Sequence, residues 1–319
     1  MKILSYGFLF LSQLFFGSSY AANERDLEAP GPKGSLKGIH TTSDNANAPL
    51  ILIIPGSGPT DRDGNNPQGI KASTYKLLAE ELAESEIQSV RVDKRGLFSS
   101  SAAVDNPNQV TIQDYVDDIK SWTQIIKSKT KHSCIWLLGH SEGGLVALAS
   151  AQQADNICGI ILMAAPGDKF GEILRRQLQA NPANKPLLED ALRAIHDLEA
   201  GKRVDVSDFH PALQQLFFPD VQDYLINIIS FTPAELIASL DIPMLILQGD
   251  RDIQVDENDA RLLFAANPKS TLKVLPNVNH VFKEVKTDAR ADNLATYSDP
   301  NLPLARGVTE VIADFVKRH

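Results

Sequence analysis

The sequence predicts an α/β fold, a mainly parallel sheet with helices on both faces and a helical insertion. Three observations carry this prediction. Short continuous apolar runs, Leu50 to Ile54 and Met244 to Leu247 among them, have the pattern of strands buried on both faces. Stretches with apolar residues at helical spacing alternate with them, and repeated strand–helix units build a parallel sheet. Between Asp168 and Leu240 the alternation stops. This Leu-, Ala- and Gln-rich stretch, punctuated by Pro182, Pro186, Pro211, Pro219 and Pro233, reads as several helices.

In order along the chain, Lys2 precedes an apolar run from Ile3 to Phe16, and small residues lead to a cleavage point after Ala21. Residues 1–21 therefore read as a signal peptide. The run is short for a membrane span of about 20 residues, and no Cys follows it to carry a lipid. The expectation is an exported protein, periplasmic or secreted, with no stable membrane insertion after cleavage.

Residues 22–167 form the first part of the core. Gly34 to His40 reads as an early strand, Leu50 to Ile54 as a buried one, Lys71 to Ser85 as a helix and Ser89 to Asp93 as a strand. From Thr111 to Lys129, Ile112, Tyr115, Val116, Ile119, Trp122, Ile125 and Ile126 recur at helical spacing, with Thr111 and Asp114 as an N-terminal cap. The strand Cys134 to Leu138, a helix after Ser141 and the strand Ile157 to Ala164 follow. Residues 168–240 are read as a helical cap inserted into the core. Residues 241–319 complete it with strands Pro243 to Leu247 and Thr271 to Leu275 and helices Asp256 to Ala266 and Val308 to Lys317.

The chain has 319 residues, and its 40 acidic side chains outnumber 31 basic ones without any basic cluster. Nucleic acid is excluded as a partner on that ground. The two cysteines, Cys134 and Cys158, open neighbouring strands. A bridge needs their Cα atoms within about 7 Å, and the expectation from sequence is two buried free thiols.

The chemistry centres on Gly139-His140-Ser141-Glu142-Gly143, a G-x-S-x-G between a strand and a helix. In that setting the flanking glycines permit a tight turn that exposes the serine Oγ at a helix N-terminus. A serine needs a base and a group that orients the base. Of seven histidines, His280 alone follows a late strand and reaches the rim where Ser141 lies. The orienting acid belongs between them in chain order, and Asp252 in Gln248-Gly249-Asp250-Arg251-Asp252 is preferred, with Asp250 and Asp168 as alternatives.

An acyl-transfer site also needs two N–H donors for the oxyanion. Glu142, directly after the nucleophile, supplies one. The loop Pro55-Gly56-Ser57-Gly58-Pro59 supplies the other, from Ser57, with Gly58 in reserve. Gly56 and Gly58 also bring this backbone close to substrate. The Asp61-Arg62-Asp63-Gly64-Asn65 run lacks the glycine at position six and the glutamate at position twelve of a calcium loop. No metal or cofactor is expected.

With Asp93-Lys94-Arg95-Gly96, the Gly56 to Gly64 run, the Ser141 pentapeptide, Gln248 to Val255 and Asn279-His280 in place, the chain resembles an α/β-hydrolase. Within that superfamily it is similar to bacterial carboxylesterases related to serine-aminopeptidase-like hydrolases. The resemblance implies a cap over the active site and hydrolysis of short- to medium-chain carboxylic esters, a small-molecule substrate. It places Ser141, His280 and Asp252 on the family's triad positions. Pro55 departs from the pattern, since many members carry a His there. Asp93 and Arg95 read as loop ties. In the cap, Phe217, Phe218 and Tyr224 are candidates for an acyl pocket, although packing of the cap accounts for them equally well. Two rival functions remain at this point: an aminopeptidase or amidase, with Glu142 receiving an α-amino group, and a non-catalytic binding relative. Oligomeric state is not legible.

Overall fold

A computed structural model describes residues 23–153 and 156–319. The expected signal peptide, residues 1–21, lies outside them. Eight strands form one sheet in the order β1-β2-β4-β3-β5-β6-β7-β8. They are β1 (Asn23–Pro30), β2 (Ser35–Thr42), β3 (Leu50–Ile54), β4 (Gln88–Val92), β5 (Ile135–His140), β6 (Ile157–Met163), β7 (Met244–Gly249) and β8 (Thr271–Leu275). β1 and β2 pair antiparallel, as do β2 and β4, and every later pairing is parallel. β1 was not expected from the sequence. Its NERDLEAP run has no apolar alternation, and its extended form comes from backbone pairing with β2 along its whole length.

The pleat of the central strands sorts their side chains to two faces. Leu50, Leu52 and Ile54 of β3 and Leu137 of β5 enter one apolar cluster, while Ile51, Ile53, Trp136 and Leu138 enter the other. Helices cover both faces because both faces are apolar. α1 (Thr74–Glu84) lies on the second face, joined there by the C-terminal helix Val308–Arg318. α2 (Ile112–Lys129) and α3 (Glu142–Ala151) lie on the first. α2 begins at Thr111, whose side chain accepts from the Asp114 N–H while the Asp114 carboxylate accepts from Thr111, and it buries Ile112, Val116, Ile119, Trp122 and Ile126 against the sheet. Each such side chain contributes roughly 1.5–3 kcal/mol relative to exposure.

Between β6 and β7 the chain forms five helices: α4 (Phe170–Ala180), α5 (Leu188–Glu199), α6 (Pro211–Leu216), α7 (Gln222–Ile229) and α8 (Pro233–Ala238). α4 to α7 enclose a core of their own around Leu174, Ile195, Leu198, Leu213 and Phe217, whereas Ile237 of α8 joins the core on the first face of the sheet. Arg176 of α4 pins this insert to the core through Asp168 at 2.9 Å and the fully buried Asp259 at 2.6 Å. The remaining helices are α9 (Glu257–Ala266), α10 (Arg290–Ala295) and the C-terminal α11.

The cysteines correct one expectation. Cys134 and Cys158 are joined in a disulfide with Cα atoms 5.2 Å apart, rather than standing as free thiols. Parallel pairing of β5 with β6 brings the two strand starts side by side, a distance that the sequence does not encode locally.

Candidate active site

The site sits at the carboxyl ends of the central strands. β5 ends at His140, and α3 begins at Glu142, leaving Ser141 alone to turn the chain. Its backbone takes φ 53°, ψ −123°, a conformation that a β-carbon resists and that surrounding structure must hold. The Ser141 N–H donates to the Met163 carbonyl at 2.9 Å, and the Ser141 carbonyl accepts from Gly144 N–H at 2.8 Å. A Cβ on Gly139 would collide with the Gly143 carbonyl, and one on Gly143 with the Ile54 carbonyl. The motif glycines are required by close backbone approach.

His280 lies in the loop after β8, and its Nδ1 is 2.7 Å from Asp252 Oδ2. Asp252 lies in the loop after β7, and its side chain is fully buried. Its Oδ1 accepts the Gln254 and Val255 N–H groups at 2.8 and 3.0 Å, and Oδ2 also accepts Gln248 Nε2 at 3.2 Å. These donors hold the carboxylate in one orientation toward the imidazole. The alternative acids are engaged elsewhere. Asp250 accepts the Asn277 N–H at 2.6 Å, and Asp168 pairs with Arg176.

Ser141 and His280 line one cavity of about 240 Å³ with Gly56, Ser57, Gly58, Pro59, Ile70, Gln254 and Val281. No hydrogen bond joins Ser141 Oγ to His280 in this structure, a common state of catalytic pairs before substrate tightens them. Among the described residues, the Ser57, Gly58 and Glu142 backbone N–H groups meet no acceptor, whereas the Gly56 N–H donates to Tyr75 Oη at 3.1 Å. A Cβ on Gly56 would stand 3.2 Å from Ser141 Cβ, so this loop lies directly against the serine.

Three residues the sequence reading passed over support this arrangement. The Tyr75 hydroxyl donates to His140 Nδ1 at 2.7 Å, and His140 Nε2–H donates to the His280 carbonyl at 2.8 Å. Burial pushes His140 down to about 3, with the neighbouring His280 adding to the shift, so the ring is neutral and carries its proton on Nε2. Lys94 is the third. Its Nζ donates to the Gly56 carbonyl at 2.7 Å and lies 3.5 Å from Glu142 Oε1. His140 stood inside the motif and Lys94 inside Asp93-Lys94-Arg95-Gly96, but their partners are far away in sequence.

The Glu142 side chain is buried behind the elbow, with Lys94 and Tyr115 around the same small void. Burial, together with the Glu142 charge, raises the hydroxyl pKa of both Tyr115 and Tyr224. Asp93 and Arg95 tie loops together: Asp93 accepts the Arg62 N–H at 2.9 Å, and Arg95 holds Asp114 and Asp118 at 2.7 Å.

The candidate acyl-pocket residues of the insert fall elsewhere. Phe217 is fully buried in the insert's own core, and Phe218 is 48% exposed. The Tyr224 ring meets Tyr115 edge-on at 6.5 Å. None of the three is among the residues lining the Ser141 cavity: Phe217 and Tyr224 are taken up by packing, and Phe218 is exposed. Gly56 and Gly58 do line it.

Comparisons with known proteins follow the same outline. A family model described as serine aminopeptidase, S33, matches residues 69–207. Esterase EstD of Thermotoga maritima is 26% identical over 267 residues, 81% of this chain, and the chain spans 60% of that relative's length. Phospholipase YtpA of Bacillus subtilis is 26% identical over 230 residues, covering 66% of this chain and 80% of the relative. Among solved structures, an alpha/beta hydrolase from Penicillium superposes with TM-score 0.59 at 19% identity, covering 93% of this chain and 99% of that one. A Pyrococcus furiosus esterase gives TM-score 0.59 at 15% identity, with coverage of 93% and 91%.

Proposed function

We propose that this chain, an α/β-hydrolase similar to serine esterases, hydrolyses carboxylic esters of short to medium acyl chains through an acyl-enzyme on Ser141. One observation carries the reading. His280, hydrogen-bonded to Asp252, lines the same cavity as a serine held at a strained strand-to-helix turn.

In this mechanism Ser141 Oγ attacks the ester carbonyl carbon while His280 Nε2 takes its proton. Asp252 keeps Nδ1 protonated and faces the imidazolium that forms. The Ser57 and Glu142 N–H groups receive the oxyanion. The tetrahedral intermediate then expels the alcohol, which takes the proton from His280. Water, deprotonated by His280, attacks the acyl-enzyme; the second tetrahedral intermediate breaks its bond to Ser141 Oγ, which takes the proton back from His280, and the acid is released. The helix dipole of α3 adds positive potential at the same point. The helical insert acts as the cap: Gln177 of α4 donates to the Gln254 carbonyl at 2.8 Å, and Gln254 lines the cavity.

The ester reading is favoured over an amidase that receives an α-amino group. Glu142, the candidate acceptor of that group, is buried against Lys94, and among the described residues no carboxylate lines the cavity. Export is part of the proposal. A disulfide suits an oxidising compartment and so supports the signal-peptide reading of residues 1–21. N-terminal sequencing of the protein from its native host checks cleavage after Ala21.

The test of the whole reading is turnover of p-nitrophenyl butyrate beside an aminoacyl p-nitroanilide. The ester is expected to be the faster substrate, and Ser141→Ala to abolish turnover with an unchanged melting temperature. Undiminished turnover in Ser141→Ala sinks the assignment, and faster anilide cleavage transfers it to the amidase class.

A further inference from the structure

We infer that Lys94 is a positioning residue for the oxyanion hole, a single buried cation that ties together the two segments supplying its donors. This rests on the esterase reading above.

The Gly56 carbonyl, which accepts from Lys94 Nζ at 2.7 Å, and the Ser57 N–H belong to one peptide group. The described residues contain no cis peptide bond, and in a trans peptide the C=O and N–H point in opposite directions. Lys94 lies behind the elbow, on a void shared with Pro55, Tyr115 and Glu142, whereas Ser57 faces the Ser141 cavity. Drawing the Gly56 oxygen toward Lys94 therefore turns the Ser57 N–H toward the cavity. The Gly56 N–H, held by Tyr75 at 3.1 Å, fixes the preceding peptide as well. Two consecutive peptide planes are thus set by buried side chains.

A charge-assisted bond to a carbonyl also polarises the N–H of the same peptide, making it a stronger donor where negative charge develops. The second contact reaches the other half of the hole. Lys94 Nζ lies 3.5 Å from the carboxylate of Glu142, whose backbone N–H is the second donor. Lys94 is 7% exposed and Glu142 6%, so water does not screen the pair. Lys94 itself is not among the residues lining the Ser141 cavity. It acts through the Gly56–Ser57 peptide and the start of α3.

From sequence the Glu142 side chain stood only as a candidate acceptor for an α-amino group. Its partner is Lys94, which brings a charge into the hydrophobic rear of the elbow without leaving it unpaired.

The test compares wild type, Lys94→Met, Lys94→Arg and the double variant Lys94→Met/Glu142→Gln. The readouts are kcat and KM for p-nitrophenyl butyrate, the rate of Ser141 labelling by a fluorophosphonate and the affinity of a trifluoromethyl ketone. In Lys94→Met, kcat is expected to fall about 10- to 100-fold, less than or equal to the loss of a whole donor. KM stays within about threefold, because the interaction lost belongs to the transition state. Labelling and ketone affinity weaken with kcat, and Lys94→Arg recovers much of the loss. The double variant stays slow, since neutralising Glu142 does not restore a hold on the Gly56 carbonyl. A folded Lys94→Met with kcat within about twofold of wild type overturns the inference. Recovery in the double variant overturns it too, by showing that Lys94 only neutralises Glu142. If Lys94→Met does not fold, Lys94→Gln carries the same comparison. A wild-type protein inert to both ester and fluorophosphonate defeats the esterase reading instead, so the two failures are distinguishable.

Discussion

His140 Nε2 donates to the backbone carbonyl of His280 across 2.8 Å, joining the strand that leads into Ser141 to the loop after β8. Because Tyr75 links His140 Nδ1 to the Gly56 N–H, one neutral imidazole registers the His280 loop, the turn at Ser141 and the Gly56 loop together. His140→Phe removes both bonds while keeping a ring of similar size. Its kcat on p-nitrophenyl butyrate is expected to fall about 10- to 100-fold through misplacement of reacting groups. Steady-state kinetics measure it, and a variant as active as wild type would show that the network is only packing.

Asp252 and Asp250 stand two residues apart with different partners. Asp252→Asn is expected to lower kcat by about 10³- to 10⁴-fold, because an amide no longer selects the Nδ1–H tautomer. Asp250→Asn, which retains an oxygen for the Asn277 N–H, is expected to stay within about threefold of wild type. Equal losses in the two would remove the distinction.

The disulfide closes a loop with a sequence separation of 24. On the chain-entropy account its removal costs about 3 kcal/mol. Cys134→Ser/Cys158→Ser is expected to unfold at lower denaturant concentration but to keep kcat, since the bridge lies at the strand starts and Ser141 at the opposite end of β5. Denaturant titration and ester turnover on the same sample check both halves.

Lys283 is fully buried, and its Nζ donates to the Leu302 carbonyl. Burial pushes its ammonium down from 10.5 to about 8, with Glu81 and Asp299 pulling the other way. Between those values the unfolded chain holds a proton that the folded chain has released, so this group's contribution to stability rises with pH. The stability of wild type relative to Lys283→Met is therefore expected to increase from pH 8 toward pH 10.5. A difference that is flat or falls across that window, measured by denaturant titration, contradicts it.

Strands β3, β5 and β7 and the helix α2 were legible because each carries its own local signal. Continuous apolar runs mark strands buried on both faces, and Ile112, Val116, Ile119, Trp122 and Ile126 mark one helical stripe above a Thr111 cap. β1 carries none, since an edge strand with charged residues takes its form from its neighbour. The insert showed its helices but not their apolar partners. Phe217 looked equally fit for a pocket or a core, and only packing against Leu213 and the rest of the insert assigned it to the core.

By itself, the sequence determined the α/β alternation, the turn at Ser141 and the chain order in which an acid and a histidine follow it. Those are local properties, set by periodicity, by glycines at close backbone approaches and by the position of loops after strands. Tertiary structure alone decided that Asp252, not Asp250 or Asp168, meets His280, that Cys134 meets Cys158, and that the charge of Glu142 turns inward to Lys94. Each is a contact between segments that only the order and register of the strands in the sheet bring within bonding distance, and no spacing along the chain encodes either.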